Sequence, residues 1–143
     1  MTRPLHIFLA EDNPGDVELV REALREHNIS HQLFVACDGR EARRFFDSMG
    51  KAPDAPFPDL FLFDLNLPKT DGYELMSLFR SHPLCAEAPV IIVTSSNARK
   101  DRERAAALGA TRYFRKPSEL LEFLELGSLI RELAEERGLP NHA

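Results

Sequence analysis

Three carboxylates, one hydroxyl group and one ammonium group each stand at the end of a short apolar run. They are Glu11, Asp12, Asp64, Thr94 and Lys116. Clustered carboxylates repel one another and favour a hard divalent cation such as Mg²⁺. A carboxylate can also act as a nucleophile, while a hydroxyl and an ammonium group can neutralise the oxygens of a phosphoryl group. If the fold brings the five side chains together, they predict phosphoryl transfer to Asp64 beside a metal ion.

The elements that must position these groups alternate between strands and helices. Apolar runs predict five strands, at 5–10, 31–37, 60–64, 89–96 and 112–117. Amphipathic segments predict five helices, within 11–28, 38–50, 71–83, 97–110 and 118–138. On the helices, the spacing of apolar residues predicts that Leu78 and Leu120 both face the core.

This alternation predicts an α/β fold, a flavodoxin-like doubly wound parallel sheet of the (βα)5 type with strand order 2-1-3-4-5. In such sheets, ligands bind outside the carboxyl ends of the strands, which is where all five groups lie. Taken singly, each group has an ordinary interpretation: the acids as solvated side chains, the threonine as a β-branched strand residue and the lysine as a surface lysine. Taken together, their chemistry is complementary. We expect one domain over residues 1–143, with a core at about 5–137 and a tail at 138–143.

Composition narrows the class of protein. The chain has 143 residues and a formal net charge of −5, which argues against non-specific binding to nucleic acid. The sequence has no signal-peptide pattern and no apolar run of membrane-spanning length, so we expect a cytoplasmic protein without a membrane partner. Cys37 and Cys85 lie in no metal or redox spacing and are expected to be buried or half-buried thiols.

Four motifs, in this order, resemble those of the receiver domain of two-component response regulators. They are EDN at 11–13, FDLNLPKTDG at 63–72, VTSS at 93–96 and RYFRKP at 112–117. The resemblance covers nearly the whole chain and implies that Asp64 accepts a phosphoryl group from a sensor histidine kinase or a phosphotransfer protein. It also implies that Mg²⁺ is held by Glu11, Asp12, Asp64 and the backbone carbonyl of Asn66.

The resemblance also assigns roles at the ends of strands four and five. Thr94 and Lys116 would contact the phosphoryl group, the rotamer of Tyr113 would follow the phosphorylation state, and Lys116–Pro117 would be a cis peptide. Helix four, strand five and helix five would form the output face, which could also serve as a homodimer interface. The protein would then be a phosphoacceptor with slow self-dephosphorylation rather than an enzyme.

Among receivers, the EDNPGDV, DLNLPKTDG and KPSELLEF segments resemble single-domain regulators paired with bacterial phytochromes. This implies a phytochrome-type kinase as the partner. Two residues depart from the receiver pattern. Arg115 places a cation in strand five, where a solvated edge strand or a partner contact would accommodate it. Ser118 stands where a bulky apolar residue is more usual, and its hydroxyl is expected to cap the last helix.

Two other functions remain open. The chain could be a degenerate receiver that serves only as an interaction module, although every expected phosphorylation residue is present. It could also be a phosphatase of the haloacid dehalogenase type, which likewise uses a nucleophilic aspartate and Mg²⁺. Those enzymes place a general-acid aspartate two residues after the nucleophile, where this chain has Asn66, and they usually carry a cap. The sequence lacks the glycine-rich loops of nucleotide-binding proteins, which argues against nucleotide binding.

Overall fold

Five parallel strands form one sheet in the order β2-β1-β3-β4-β5, which confirms the predicted topology. The computed structural model describes residues 3–53 and 55–140. The strands are β1 (Leu5–Ala10), β2 (His31–Ala36), β3 (Leu60–Phe63), β4 (Val90–Thr94) and β5 (Arg112–Arg115). All four pairings are in parallel register, so the carboxyl ends of the strands share one edge.

Within the described residues, five helices connect and follow these strands. They are α1 (Pro14–Glu26), α2 (Gly39–Ser48), α3 (Gly72–Ser81), α4 (Arg99–Ala107) and α5, which has a first turn (Leu120–Phe123) and, after Leu124, a main segment (Glu125–Arg137). A 3₁₀ turn, Pro83–Cys85, precedes β4. Side-chain caps begin three of the helices: Asn13, Asp38 and Asp71 each accept a hydrogen bond from a backbone amide in the first turn. None of the helices in the described ranges is long and apolar enough to cross a membrane.

The core has one layer on each face of the sheet. Phe8, Phe61 and Phe63 point to one face, where they pack against α2 and α3. Their neighbours along the strands point to the opposite face and pack against α1 and α5. This alternation follows from the two-residue period of a strand. The buried strand β3 is apolar on both faces, which places Asp64 directly at the end of a wholly buried element.

Two apolar side chains face solvent where the sequence predicted burial. Leu78 is 43% exposed and Leu120 is 54% exposed, so both predictions are wrong. On α3 the buried stripe runs through Leu75, Met76 and Phe79, and Leu78 lies roughly a quarter-turn or more away from its centre. On α5 the helix is interrupted at Leu124, so one periodicity does not run through both segments, and only Phe123 of the first turn is buried.

The peptide bond before Pro117 is trans, because the described residues contain no cis peptide bond, and the predicted cis bond is therefore wrong. A trans bond is the intrinsic preference even before proline. Lys116 is already held in the sheet by its backbone amide, which donates to the carbonyl of Thr94 (2.7 Å), so its side chain reaches the carboxyl edge with the bond in trans.

The structure tests several other local predictions. Ser118 does not cap α5, so that prediction is wrong: the residue before the first helical position is Glu119, and it makes no side-chain capping bond. Cys37 is exposed rather than buried, whereas Cys85 is buried as predicted. Leu139, assigned to the tail, packs on the core layer beside α5.

Arg115 is exposed on the edge strand β5, in agreement with its interpretation as a solvated side chain. The predicted tail residues 141–143 lie outside the described residues.

Candidate active site

All five side chains singled out in the sequence lie at the carboxyl edge of the sheet, at the ends of β1, β3, β4 and β5. Glu11, Asp64 and Thr94 are buried, with 2%, 5% and 0% of their surface exposed, whereas Asp12 is exposed. A buried carboxylate needs compensation by a charge or by hydrogen bonds. The contacts of these residues show where that compensation comes from.

The carboxylates of Glu11, Asp12 and Asp64 form a cluster that could hold a cation. One oxygen from each lies within 4.8 Å of the others. All the donors are hard oxygens, and part of the cluster is open to solvent through Asp12, so the residues present fit Mg²⁺. The backbone carbonyl of Asn66 remains a predicted further ligand.

Lys116 is the cation that the cluster contacts directly. Its ammonium nitrogen Nζ donates to Glu11 Oε1 (2.6 Å), to Asp64 Oδ2 (2.8 Å) and to Asp16 Oδ2 (2.8 Å). An ammonium group has three donors, and here each meets a carboxylate. The lysine therefore links β1, β3 and α1 around the end of β5.

The electrostatics of the site follow from burial and from this lysine. Burial raises the pKa of Glu11 to about 7, although the hydrogen bond from Lys116 acts in the opposite direction. Burial would lower the pKa of Lys116, but hydrogen bonds with Asp16, Asp64 and Glu11 outweigh it and leave that pKa raised. Burial thus disfavours the charged form of Glu11, and a divalent cation would favour its ionised form.

The loop between β3 and α3 fixes the other side of Asp64. The backbone amide of Asn66 donates to Asp64 Oδ1 (3.0 Å), and the side-chain amide of Asn66 donates to Thr94 Oγ1 (3.4 Å). The loop folds back tightly, because a Cβ on Gly72 would lie 2.6 Å from the Leu65 backbone. A glycine at position 72 therefore lets α3 begin close to the carboxylate.

A hydrogen-bond network leads from Thr94 to α4 and β5. The amide of Ser96 donates to Thr94 Oγ1 (3.4 Å), and the hydroxyl of Tyr113 donates to the carbonyl of Ser96 (2.9 Å). The side chains of Ser96 and Tyr73 both donate to Asp101 in the first turn of α4, and these bonds lower the pKa of Asp101. Tyr113 is therefore tied to the same loop as Thr94.

An open cavity of about 710 Å³ adjoins the exposed side of the cluster. Its lining residues are Asp12, Cys37, Asp38, Gly39, Arg40, Pro68, Lys69 and Thr70. The loops after β2 and β3 form most of its wall, and Asp12 is the member of the carboxylate cluster that reaches it. This cavity gives a reactant from solvent a route to the carboxyl edge.

Sequence reasoning missed Asp16, Ser96 and Asp101. The sequence does not single out Asp16, because an acid in the first turn of a helix is explained by the helix dipole alone. The capping residue Asn13 gave the position of that turn, but not the direction in which Asp16 points. Ser96 is the last residue of the VTSS motif and Asp101 lies on a highly charged helix, but neither pattern indicates that the two side chains contact each other.

Comparisons with known proteins agree with this geometry. The profile of the response regulator receiver domain matches residues 7–126. Response regulator Rcp1 of Synechocystis sp. is 33% identical over 123 residues, which is 86% of this chain and 84% of Rcp1. The Mn²⁺-bound structure of Rcp1 has a TM-score of 0.81 at 31% identity, covering 98% of this chain and all of that one.

The structure of the phosphorylated cyanobacterial phytochrome response regulator RcpA also has a TM-score of 0.81, at 33% identity, and covers 91% of this chain and 93% of its own. These likenesses extend through the strands whose ends carry the acidic cluster, Thr94 and Lys116. The chain belongs to the response regulator receiver domain family of two-component signalling.

Proposed function

We propose that Asp64 accepts a phosphoryl group from a sensor histidine kinase, or from a phosphotransfer protein, with Mg²⁺ bound in the acidic cluster. The observation that carries this proposal is the contact between Lys116 Nζ and Asp64 Oδ2, 2.8 Å, beside the carboxylates of Glu11 and Asp12. A nucleophilic carboxylate, a neutralising cation and a metal-competent cluster are the groups that such a transfer needs.

In the proposed transfer, a carboxylate oxygen of Asp64 attacks phosphorus, the bond from phosphorus to the donor nitrogen breaks, and its electron pair returns to the imidazole. Glu11, Asp12, Asp64 and the carbonyl of Asn66 would hold Mg²⁺, which supplies positive charge to the phosphoryl oxygens. Lys116 and Thr94 would each contact a phosphoryl oxygen, because both already lie beside Asp64 or its loop.

We further propose that the response appears on the face built by α4, β5 and α5. A phosphoryl group adds roughly one and a half to two negative charges at Asp64. If Thr94 moves towards it, the hydrogen bond from the Ser96 amide moves the loop that also holds Tyr113. An inward rotation of Tyr113 would then change the surface next to Arg102, whose guanidinium lies 4.4 Å from the centre of that ring.

The relatives support a proposal for the partners. RcpA is a phytochrome response regulator, so we propose a phytochrome-type histidine kinase as the donor and the cytoplasm as the place of transfer. The output is a protein contact of the receiver face, and a second copy of this chain is one candidate for it.

The central test is phosphorylation by acetyl phosphate with Mg²⁺, followed by intact mass. The wild type should gain one phosphoryl group, and Asp64→Asn should gain none. Asp47→Asn on the exposed face of α2 is the matched control and should be labelled like the wild type. Labelling that persisted in Asp64→Asn would contradict the proposal. Sustained, Asp64-dependent turnover of p-nitrophenyl phosphate would instead favour the phosphatase function.

A further inference from the structure

Asp16 accepts a hydrogen bond from Lys116 but is not a member of the carboxylate cluster of Glu11, Asp12 and Asp64. Its Oδ2 accepts from Lys116 Nζ at 2.8 Å, and its side chain is only one-quarter exposed. The position is fixed from the backbone, because the Asn13 side chain accepts hydrogen bonds from the amides of Gly15 (2.8 Å) and Asp16 (3.2 Å). The first turn of α1 therefore presents Asp16 to the lysine in a defined place.

The other two partners of Lys116 have a second use. Glu11 and Asp64 both belong to the cluster whose oxygens lie within 4.8 Å of one another, so a divalent cation would bind the same carboxylates as the ammonium group. Two cations that share carboxylates repel each other and compete for them. Of the three contacts made by Lys116, only the one to Asp16 is free of this competition.

We propose that Asp16 is a positioning residue that retains the Lys116 ammonium group at the site while Mg²⁺ takes over Glu11 and Asp64. This inference rests on the proposed function. With Asp16 present, the lysine keeps one full ion pair when the metal binds, and it remains close enough to meet a phosphoryl group on Asp64. Without Asp16, the lysine either blocks the metal or leaves the site when the metal binds.

The geometry of the contact supports this role. The hydrogen bond from Lys116 to Asp16 has the same length as the one to Asp64, so Asp16 is a full partner rather than a distant charge.

The first measurement is Mg²⁺ affinity by calorimetry in the wild type, Asp16→Asn, Asp16→Ala and Asp16→Glu. Both Asp16→Asn and Asp16→Ala keep the Asn13 cap, so α1 should still form. We expect Mg²⁺ to bind about tenfold more weakly in these two variants, which corresponds to the loss of one partly buried ion pair. Asp16→Glu keeps the carboxylate and should restore most of the affinity.

The control for a general charge effect is Asp38→Asn. Asp38 lines the same cavity as Asp12, caps α2 and makes none of the hydrogen bonds of Lys116; asparagine caps equally well. This variant removes the same unit of charge and should change Mg²⁺ affinity by no more than about twofold. Equal losses in Asp38→Asn and Asp16→Asn would overturn the positioning role.

The second measurement is the reactivity of Lys116 towards an acylating reagent, read by peptide mass spectrometry with and without Mg²⁺. In the wild type, Lys116 should stay protected in both conditions. In Asp16→Asn, saturating Mg²⁺ should expose it and raise its labelling several-fold, a change that a merely structural role of Asp16 would not produce. Unchanged protection would overturn the inference.

The two proposals can fail separately. If the wild type is phosphorylated on Asp64 while Asp16→Asn behaves like Asp38→Asn, only the inference falls. If the wild type neither binds Mg²⁺ nor accepts a phosphoryl group, both fall.

Discussion

Two half-buried cations at opposite edges of the sheet illustrate how differently this fold uses positive charge. At the carboxyl edge, Lys116 donates to three carboxylates, those of Glu11, Asp16 and Asp64. At the amino edge, Arg80 at the end of α3 makes hydrogen bonds only to backbone carbonyls in the described structure. These carbonyls belong to Cys85, Ala86, Ala88, Leu108 and Gly109.

The difference separates a site that can respond to a ligand from one that holds the chain together. Carboxylates carry full negative charges, which attract a metal ion and repel a phosphoryl group. The carbonyls around Arg80 are neutral groups in the segments before β4 and β5. Without the guanidinium each of them would lose a hydrogen-bond donor, although the carbonyl of Cys85 would keep the amide of Ala88 (3.3 Å). We therefore expect Lys116 to govern ligand response and Arg80 to govern stability.

The largest effect expected from this comparison is on stability at the amino edge. Arg80→Met should lower the free energy of unfolding by about 3 kcal/mol, because several charge-assisted hydrogen bonds are lost together. Phosphorylation of Asp64 in the folded protein should not change. Urea unfolding measures the loss, with Arg43→Met on the exposed face of α2 as the control, expected within about 0.5 kcal/mol of wild type. If Arg80→Met were as stable as Arg43→Met, the structural role of Arg80 would be contradicted.

The next effect is at the carboxyl edge and depends on metal. Lys116→Met leaves its three carboxylate partners without their ammonium group and should cost about 2 kcal/mol of stability in the absence of Mg²⁺. Millimolar Mg²⁺ should stabilise this variant more than it stabilises the wild type, since the metal supplies the missing charge by mass action. Thermal unfolding with and without Mg²⁺ measures both the loss of stability and the stabilisation by the metal.

The control in that experiment is Asp12→Ala, which removes the exposed member of the cluster and should lose most of the Mg²⁺ response. If the wild type were indifferent to millimolar Mg²⁺ while Asp12→Ala responded, the assignment of the cluster as the metal site would be wrong. If Mg²⁺ stabilised Lys116→Met no more than it stabilises the wild type, the assignment of Lys116 to ligand response would be contradicted.

The same contrast explains which parts of this molecule could be predicted from sequence. Parallel strands share an edge for their carboxyl ends, so strand assignment alone was enough to bring Glu11, Asp64, Thr94 and Lys116 together. The order of the strands followed from the alternation of elements and from handedness. The sequence did not predict the role of Arg80, because its acceptors are backbone carbonyls, which have no sequence signature.

Other failures have local physical causes. Asp16 reaches Lys116 because the first turn of α1, which Asn13 caps, lies within hydrogen-bond distance of the residue that follows β5, a tertiary placement that no spacing encodes. Leu78 was misplaced because α3 buries a stripe through Met76 rather than a symmetric face. The interruption of α5 at Leu124 has no proline or glycine at that position to mark it, although His27 at the end of α1 contacts the carbonyl of Leu124 through Nε2 (3.0 Å).

A smaller effect concerns the coupling of the carboxyl edge to α4 and β5. Thr94→Ala should still accept phosphate on Asp64 but should show a weaker response, and Tyr113→Ala should uncouple phosphorylation from partner binding or dimerisation. Amide exchange with and without beryllofluoride measures this response, because a shift of a few kcal/mol is enough to repopulate a switch. We expect changes in α4 and β5 of the wild type and none in the loops that Arg80 holds. Changes confined to the surroundings of Asp64 would rule out the switch.

The smallest effect uses the two cysteines, one at each edge, as reporters of the same comparison. Cys37 is exposed and lines the cavity beside Asp12, whereas Cys85 is buried and its carbonyl accepts from Arg80 (2.8 Å). Burial raises the pKa of Cys85 to about 11, so at pH 8 only about one thiol in a thousand would be the reactive thiolate. Iodoacetamide at pH 8 should therefore label Cys37 and not Cys85 in the wild type.

The two reporters should then diverge when each edge is perturbed. Mg²⁺ with beryllofluoride should slow the labelling of Cys37 by about twofold, because occupancy of the acidic cluster adds bulk and order beside the cavity. It should leave Cys85 protected. Arg80→Met should do the opposite: Cys85 becomes reactive as the loop before β4 loosens, its labelling rises with pH because the thiolate fraction grows, and Cys37 is unchanged. Peptide mass spectrometry over a time course separates the two sites. If beryllofluoride exposed Cys85, or if Arg80→Met altered Cys37 as much as Cys85, the two edges would be coupled, and the division between a responsive edge and a structural edge would not hold.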